Sequence, residues 1–283
     1  MRNPVALSLL LAAALSIAPS RAEEIKLPQV SPGARVVQSI GITDVEISYH
    51  RPAVKGRVIW GGLEPWGKVW RMGANEATSI SFTHPVKLEG REVPAGKYAL
   101  FAIPGQDRWT VVLNKEHKQW GAFGYKESED VLRFDVKPEA GPHTEWLTFN
   151  IVPDSRTSAV VEMAWEKVRI PFKIEVDVDG IVWSRVDAVL AATPKPNDFM
   201  MATHYALESN TRIAEAAAWI DKALSLKEHV WAYELKARVL QRQGRIDEAL
   251  ESLDKAIAMG RAQNLGEDFV GNLEKLRKEW KPV

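Results

Sequence analysis

Between residues 34 and 176 apolar side chains recur at every second position, the period of strands with one face buried and the other wet. Val168, Ile170, Phe172, Ile174 and Val176 alternate with Arg169, Pro171, Lys173 and Glu175. The same alternation turns Val45, Ile47 and Tyr49 inward against Glu46, Ser48 and His50, sets Leu132, Phe134 and Val136 against Arg133 and Asp135, and sets Leu147, Phe149 and Ile151 against Trp146, Thr148 and Asn150. Short turn signals separate these runs, among them Glu89-Gly90-Arg91, Pro94-Ala95-Gly96, Pro104-Gly105-Gln106-Asp107 and Pro153-Asp154-Ser155. Helix-period segments are missing from this stretch, which argues against a parallel α/β fold. The pattern predicts an antiparallel β-sandwich of jelly-roll or Ig-like type with about eight to ten strands.

The period changes near residue 181. Ile181, Val182, Val186, Val189 and Leu190 return to helical spacing, and Thr193-Pro194-Lys195-Pro196-Asn197 reads as a linker ending in a helix cap at Asn197 or Asp198. Beyond it the chain is rich in Ala, Leu, Glu, Lys and Gln, the strong helix formers. An internal repeat follows at a shift of 33 residues: Ile213-Ala214-Glu215-Ala216 lies over Ile246-Asp247-Glu248-Ala249, and Ile220-Asp221-Lys222-Ala223-Leu224 over Leu253-Asp254-Lys255-Ala256-Ile257. Gly244 precedes the second copy, where a tight turn between helices needs it. The small residues Ala216, Ala223, Ala249 and Ala256 suit close helix packing. This resembles the tetratricopeptide family, although Met259-Gly260-Arg261 stands where a closing proline is usual. The departure marks the second unit as an array end, with residues 265 to 280 as a capping helix. A plain helical bundle is the alternative.

The amino-terminal segment has its own pattern: Arg2, an apolar run from Val5 to Ile17, then Ser20 and Ala22 at signal-peptidase spacing. A signal peptide over residues 1 to 22, cut after Ala22, makes the protein periplasmic or secreted, with no membrane span after cleavage; the run is too short for a bilayer crossing of about 20 residues. The division expected is therefore a leader at 1–22, a β-sandwich at 23–190, a linker at 191–197 and a helical domain at 198–283. The sequence has no cysteine, so stability rests on the core. Its 37 basic and 37 acidic residues become 35 and 37 once Arg2 and Arg21 leave with the leader. That near balance gives no electrostatic reason to expect nucleic acid as a partner.

Candidate chemistry is concentrated between His50 and Glu76: His50-Arg51-Pro52, Lys55-Gly56-Arg57, Trp60-Gly61-Gly62, Trp66-Gly67 and Trp70-Arg71-Met72-Gly73-Ala74-Asn75-Glu76. Ala95-Gly96-Lys97-Tyr98, Trp109-Thr110-Val111-Val112 and Trp120-Gly121 follow. In that order these motifs resemble an exported bacterial domain family of unknown function whose members share a Trp-Arg-x-Gly-Ala-Asn-Glu core, over roughly residues 35 to 175. The resemblance implies motif positions and no activity.

Read physically, Arg71 with Glu76 and Arg51 with Arg57 can form a polar network around an irregular crossover in which Gly73 takes a positive φ. Arginine forks and an Asn-Glu pair bind carboxylates, phosphates or sugar hydroxyls, and Trp60, Trp66, Trp70 and Trp120 can stack on a ring. Arg51, Arg57, Trp70, Arg71, Asn75, Glu76 and Trp120 are thus the candidate ligand-binding residues. The competing reading has the tryptophans filling the core while Arg71 and Glu76 clamp a long loop. His50, His84, His117 and His143 lack metal-ligand spacing, and no motif calls for a cofactor. There is no nucleophile elbow and no phosphate-cradling loop. Glu64, Glu76 and Glu162 remain available as paired carboxylates in one cleft. Three functions stay open: a noncatalytic exported binding or envelope-assembly protein, with a small molecule or glycan at the sandwich and a protein or peptide on the helices; a carbohydrate-active or other hydrolase using Glu76; and a structural scaffold.

Overall fold

Alternating side chains form ten strands among the residues described by the computed structural model, which are 27–281. The leader expected over residues 1 to 22 lies outside them. Strands β1 (Gly33–Ile40), β2 (Thr43–His50), β3 (Ser79–Phe82), β6 (Gly96–Ile103), β7 (Trp109–Asn114) and β8 (Asp130–Val136) make a six-stranded antiparallel sheet in the order β1-β2-β3-β6-β7-β8. Strands β4 (Val86–Leu88), β5 (Arg91–Val93), β9 (Glu139–Pro153) and β10 (Ser158–Glu175) make a second, in the order β5-β4-β10-β9.

Both sheets feed one core, in which Ile47, Ile80, Leu100 and Val111 from the first meet Leu88, Phe149, Phe172 and Ile174 from the second. The inward register read from the sequence is observed at Val45, Ile47, Tyr49, Leu147, Phe149 and Ile151, all buried. Side-chain hydrogen bonds tie the two sheets together. The Tyr49 hydroxyl accepts from the Phe149 N–H at 3.1 Å, and Arg51 donates to the Leu147 carbonyl at 2.9 Å and the Thr148 hydroxyl at 2.7 Å.

Strand β10 changes phase. Val161, Met163 and Trp165 point inward at odd positions, whereas Ile170, Phe172 and Ile174 do so at even ones. The register against β9 shifts on both sides of Glu166, whose φ is +56°. Such a bulge re-aims the side chain before it, and here that side chain is Trp165.

Six helices follow: α1 (Val178–Ala191), α2 (Pro196–Ser209), α3 (Ile213–Leu226), α4 (Val230–Arg242), α5 (Ile246–Ala262) and α6 (Glu267–Trp280). Val178 belongs to the sheet core, so α1 starts a few residues before the helical spacing read from residue 181. Residues 192 to 195 separate it from α2. The cap expected at Asn197 or Asp198 is displaced: Pro196 already opens the helix, and the Asp198 carboxylate, one turn in, accepts from the Lys195 N–H at 2.8 Å. Proline is preorganised for a first helical position and its missing N–H costs nothing there, which is why the helix begins earlier.

The repeat is visible in the helices. α3 and α5 begin at the matched Ile213 and Ile246, and in each the preceding arginine donates to a glutamate of the first turn at 2.6 Å, Arg212 to Glu215 and Arg245 to Glu248. Ala216, Ala223, Ala249 and Ala256 are fully buried. Gly244 turns the chain with φ +76°. No helix among the described residues is long and apolar enough to cross a membrane.

Candidate functional site

The Trp-Arg-x-Gly-Ala-Asn-Glu segment is a loop fastened on both sides. Trp70 exchanges backbone hydrogen bonds with Ala102 of β6 at 2.7 and 2.8 Å. The Asn75 carbonyl accepts from Gly121, and Ala77 donates to the Gln119 carbonyl, each at 3.0 Å. Thr78 closes the loop from inside, its hydroxyl donating to the Met72 carbonyl at 2.8 Å. The tight path places Met72 and Asn75 at φ +49° and +59°. Asparagine tolerates that region; a buried methionine there is strained by about 1–3 kcal/mol.

Gly73, expected at positive φ, is not among the residues that adopt it. Its role is close approach: a Cβ would stand 2.9 Å from the Thr78 hydroxyl and 3.0 Å from the His50 carbonyl.

Below the loop four indoles pack together. Trp60 lies edge-on to Trp70, Trp109 and Trp165 with centroids 5.4, 4.7 and 5.6 Å away. Trp70 and Trp165 stack. Three of these rings, Trp60, Trp70 and Trp165, bury indole nitrogens that have no hydrogen-bond partner, and the Arg71 Nε is likewise buried and unpartnered. Buried polar groups are normally satisfied, so four orphaned donors around one loop are a concentration that packing alone does not account for.

A cavity of about 400 Å³ opens against two of these residues, Arg71 and Trp165. Trp165, Arg71, Glu64 and Asn75 line it, with Lys55 and Arg57 at its exposed rim. The turn that delivers Glu64 is held by its own backbone, Glu64 N–H to the Ile59 carbonyl and Gly61 N–H to the Glu64 carbonyl, both at 2.9 Å. Burial pushes the Glu64 carboxyl up to about 7, against the pull of Arg71, Trp70 and Arg57. The Trp70 indole leans toward that carboxylate without closing a full hydrogen bond.

The residues singled out from the sequence are not one constellation. Arg57, Arg71 and Asn75 share this cavity. Glu76 and Trp120 lie in a separate, more open groove of about 600 Å³ with His50, Lys97 and His117, where Glu76 pairs with His50 at 3.3 Å. Trp70 is core. Arg51 spends its guanidinium on β9, and Arg57 donates to the Ala53 and Val54 carbonyls at 2.5 and 3.1 Å. The Arg71–Glu76 and Arg51–Arg57 network therefore does not form. Asn75 at positive φ sends the backbone over the loop, and Glu76 leaves on the side facing Trp120.

Nor do the three carboxylates share a cleft. Glu64 and Glu76 occupy different cavities, and Glu162 is held by Arg169 at 2.8 and 2.9 Å on β10. No cluster of three or more metal-ligating side chains occurs among the described residues. Trp165, Glu64 and Lys55 line the cavity although the sequence reading did not name them as binding candidates. Trp165 was detectable as the point where inward positions change from odd to even; the Glu64 environment depends chiefly on burial, which the pattern of its own short turn does not show.

On the helices, a further concavity of about 490 Å³ is lined by His204, Leu207, Trp231, Arg238, Leu276 and Trp280, all from α2, α4 and α6.

No curated protein and no solved structure matches the chain. A family profile described as "Protein of unknown function (DUF2911)" matches residues 31–174, a span that contains both sheets almost whole, the tryptophan cluster and the cavity. The chain belongs to that family.

Proposed function

We propose that the protein is a noncatalytic, exported binding protein whose recognition site is the cavity formed by Arg71, Glu64, Asn75 and Trp165. The observation that carries this reading is the Arg71 guanidinium, which lines the cavity and has no ion-pair or hydrogen-bond partner among the described residues. A ligand acceptor atom seated there would satisfy a group whose desolvation otherwise costs about 1–3 kcal/mol. The volume is at the small end of the range for ligand pockets, about 300–1,000 Å³. Three cations, Lys55, Arg57 and Arg71, against one carboxyl favour an anionic ligand.

In this reading the two sheets are a β-sandwich that serves as a rigid frame, and the helical hairpins are a tetratricopeptide-like array with a protein or peptide partner. Export follows from the leader at residues 1 to 22. The binding assignment is preferred over hydrolysis because Glu76 has no second carboxylate in its groove.

The test is a thermal-shift series on the protein from Glu23 onward with small organic acids, phosphates and polyols. A bound ligand raises Tm as ln(1 + [L]/Kd). At least one anionic compound should stabilise the wild type and not a folded Arg71→Gln variant. No stabilisation by any anion, or equal stabilisation of Arg71→Gln, would remove the basis for the site.

A further inference from the structure

The chemical class of the ligand can be narrowed from the inner end of the cavity, on the reading that the cavity is a binding site. Lys55 and Arg57 are exposed at the rim. Lys55 is backed by the Glu145 carboxylate, which accepts its backbone N–H at 2.9 Å and pairs with His143; Arg57 is occupied by backbone carbonyls. Deeper in, one guanidinium, Arg71, and one carboxyl, Glu64, line the same cavity, with the buried Trp165 ring behind them. Arg71 forms no ion pair with Glu64, and its Nη1 instead reaches toward the Gly121 to Phe123 loop, 3.7 Å from where a Gly121 Cβ would stand.

One inner cation with neutral donors matches a single negative charge. A phosphate monoester, close to doubly charged near neutrality, would set its second charge against the Glu64 carboxyl. A carboxylate fits: one oxygen accepts from Arg71, and the other accepts from Glu64 if that group carries a proton. We propose that the cavity takes a small monocarboxylate and that Glu64, protonated, is the residue that donates to it.

Geometry and electrostatics act in the same direction. Glu64 lies in a partly desolvated turn where a second carboxylate makes its ionised form still less favourable. Arg71, Arg57 and Lys55 are the cations of the cavity: Lys55 is exposed at the rim, Arg57 is occupied by backbone carbonyls, and Arg71 is the inner one. Binding then draws a proton from solvent onto Glu64. With the Glu64 carboxyl at about 7 in the free protein, the competent fraction falls about tenfold between about pH 6 and about pH 8, and apparent affinity falls with it.

The experiment is isothermal titration calorimetry of the protein from Glu23 onward with acetate, lactate, benzoate and inorganic phosphate. It is run at about pH 6 and about pH 8 in two buffers of different ionisation enthalpy, with Glu64→Gln and Arg71→Lys beside the wild type. Expected is binding of at least one monocarboxylate, about tenfold tighter at the lower pH and with proton uptake. Glu64→Gln, whose amide still donates, should keep the affinity and lose both the pH dependence and the proton uptake. Arg71→Lys should weaken binding at both pH values. Carboxylate binding without proton uptake, or with unchanged pH dependence in Glu64→Gln, overturns the role of Glu64 and leaves the anion site standing. Binding of phosphate alone overturns the carboxylate class and likewise leaves the site. Binding of none of the four overturns this inference, and the thermal-shift series then decides the site itself.

Discussion

The Trp70 and Trp165 indoles lie stacked, their centroids 5.8 Å apart and their planes at 15°, although 95 residues separate them in the chain. One belongs to the motif loop and the other to the bulge of β10, so the stack joins the loop above the cavity to the second sheet. Trp70→Ala should therefore cost about 3–5 kcal/mol, read as a lowered urea midpoint with unchanged slope. A cost under about 1 kcal/mol would mean that the loop does not depend on the stack.

Glu64 sets a pH dependence whose direction is fixed by its environment. Its carboxyl titrates near 7 in the fold against 4.5 in an unperturbed side chain, chiefly through burial. The folded state holds the proton more tightly than the unfolded chain, so this group's contribution to stability is full below the ordinary carboxylate range and declines as pH rises through about 7. Glu64→Gln should flatten that decline and melt higher than wild type at about pH 8, while differing less at about pH 5. Parallel melting curves for the two proteins across this range would contradict the assignment.

Gly73→Ala tests close approach without touching a charge. The added Cβ would meet the Thr78 hydroxyl and the His50 carbonyl, and overpacking of this kind costs about 1–3 kcal/mol. Because the loop must shift to make room, the near-ultraviolet tryptophan signal should change along with the melting temperature. A wild-type spectrum and melting curve would show that the loop has slack.

Arg51 separates a tie between the sheets from a binding residue. Arg51→Ala leaves the buried Leu147 carbonyl and Thr148 hydroxyl short of a donor, a loss of about 1.5–3 kcal/mol for a charged hydrogen-bond donor. Ligand affinity at the cavity should be unaffected once the variant is folded. A variant as stable as wild type but deficient in binding would reverse this division of labour.

Much of the fold could be read from periodicity because each strand exposes one face, and a period of two survives any register. The repeat was legible for a similar reason: Ile213 and Ile246 open α3 and α5, one helix apart, with matching first turns. The site was less legible. Arg71, Asn75 and Glu76 are neighbours in sequence, which suggested one constellation, yet the positive φ at Met72 and Asn75 sends Arg71 and Glu76 to different cavities. Backbone reversals within four residues leave no mark on hydrophobic patterning. Trp165 did leave one, in the phase change along β10, whereas the burial of Glu64, in a cavity that also takes in Trp165 from the distant β10, arises only in three dimensions.

The concavity on the helical half is walled by α2, α4 and α6 alone, while α3 and α5 stand outside its lining. Whatever touches it meets Leu207, Trp231 and Leu276, residues drawn from three stretches that are interrupted by two helices facing elsewhere. The surface is therefore discontinuous along the chain: no single synthetic fragment of this sequence reproduces it, and an antibody raised against the folded groove would fail to bind the denatured protein on a blot.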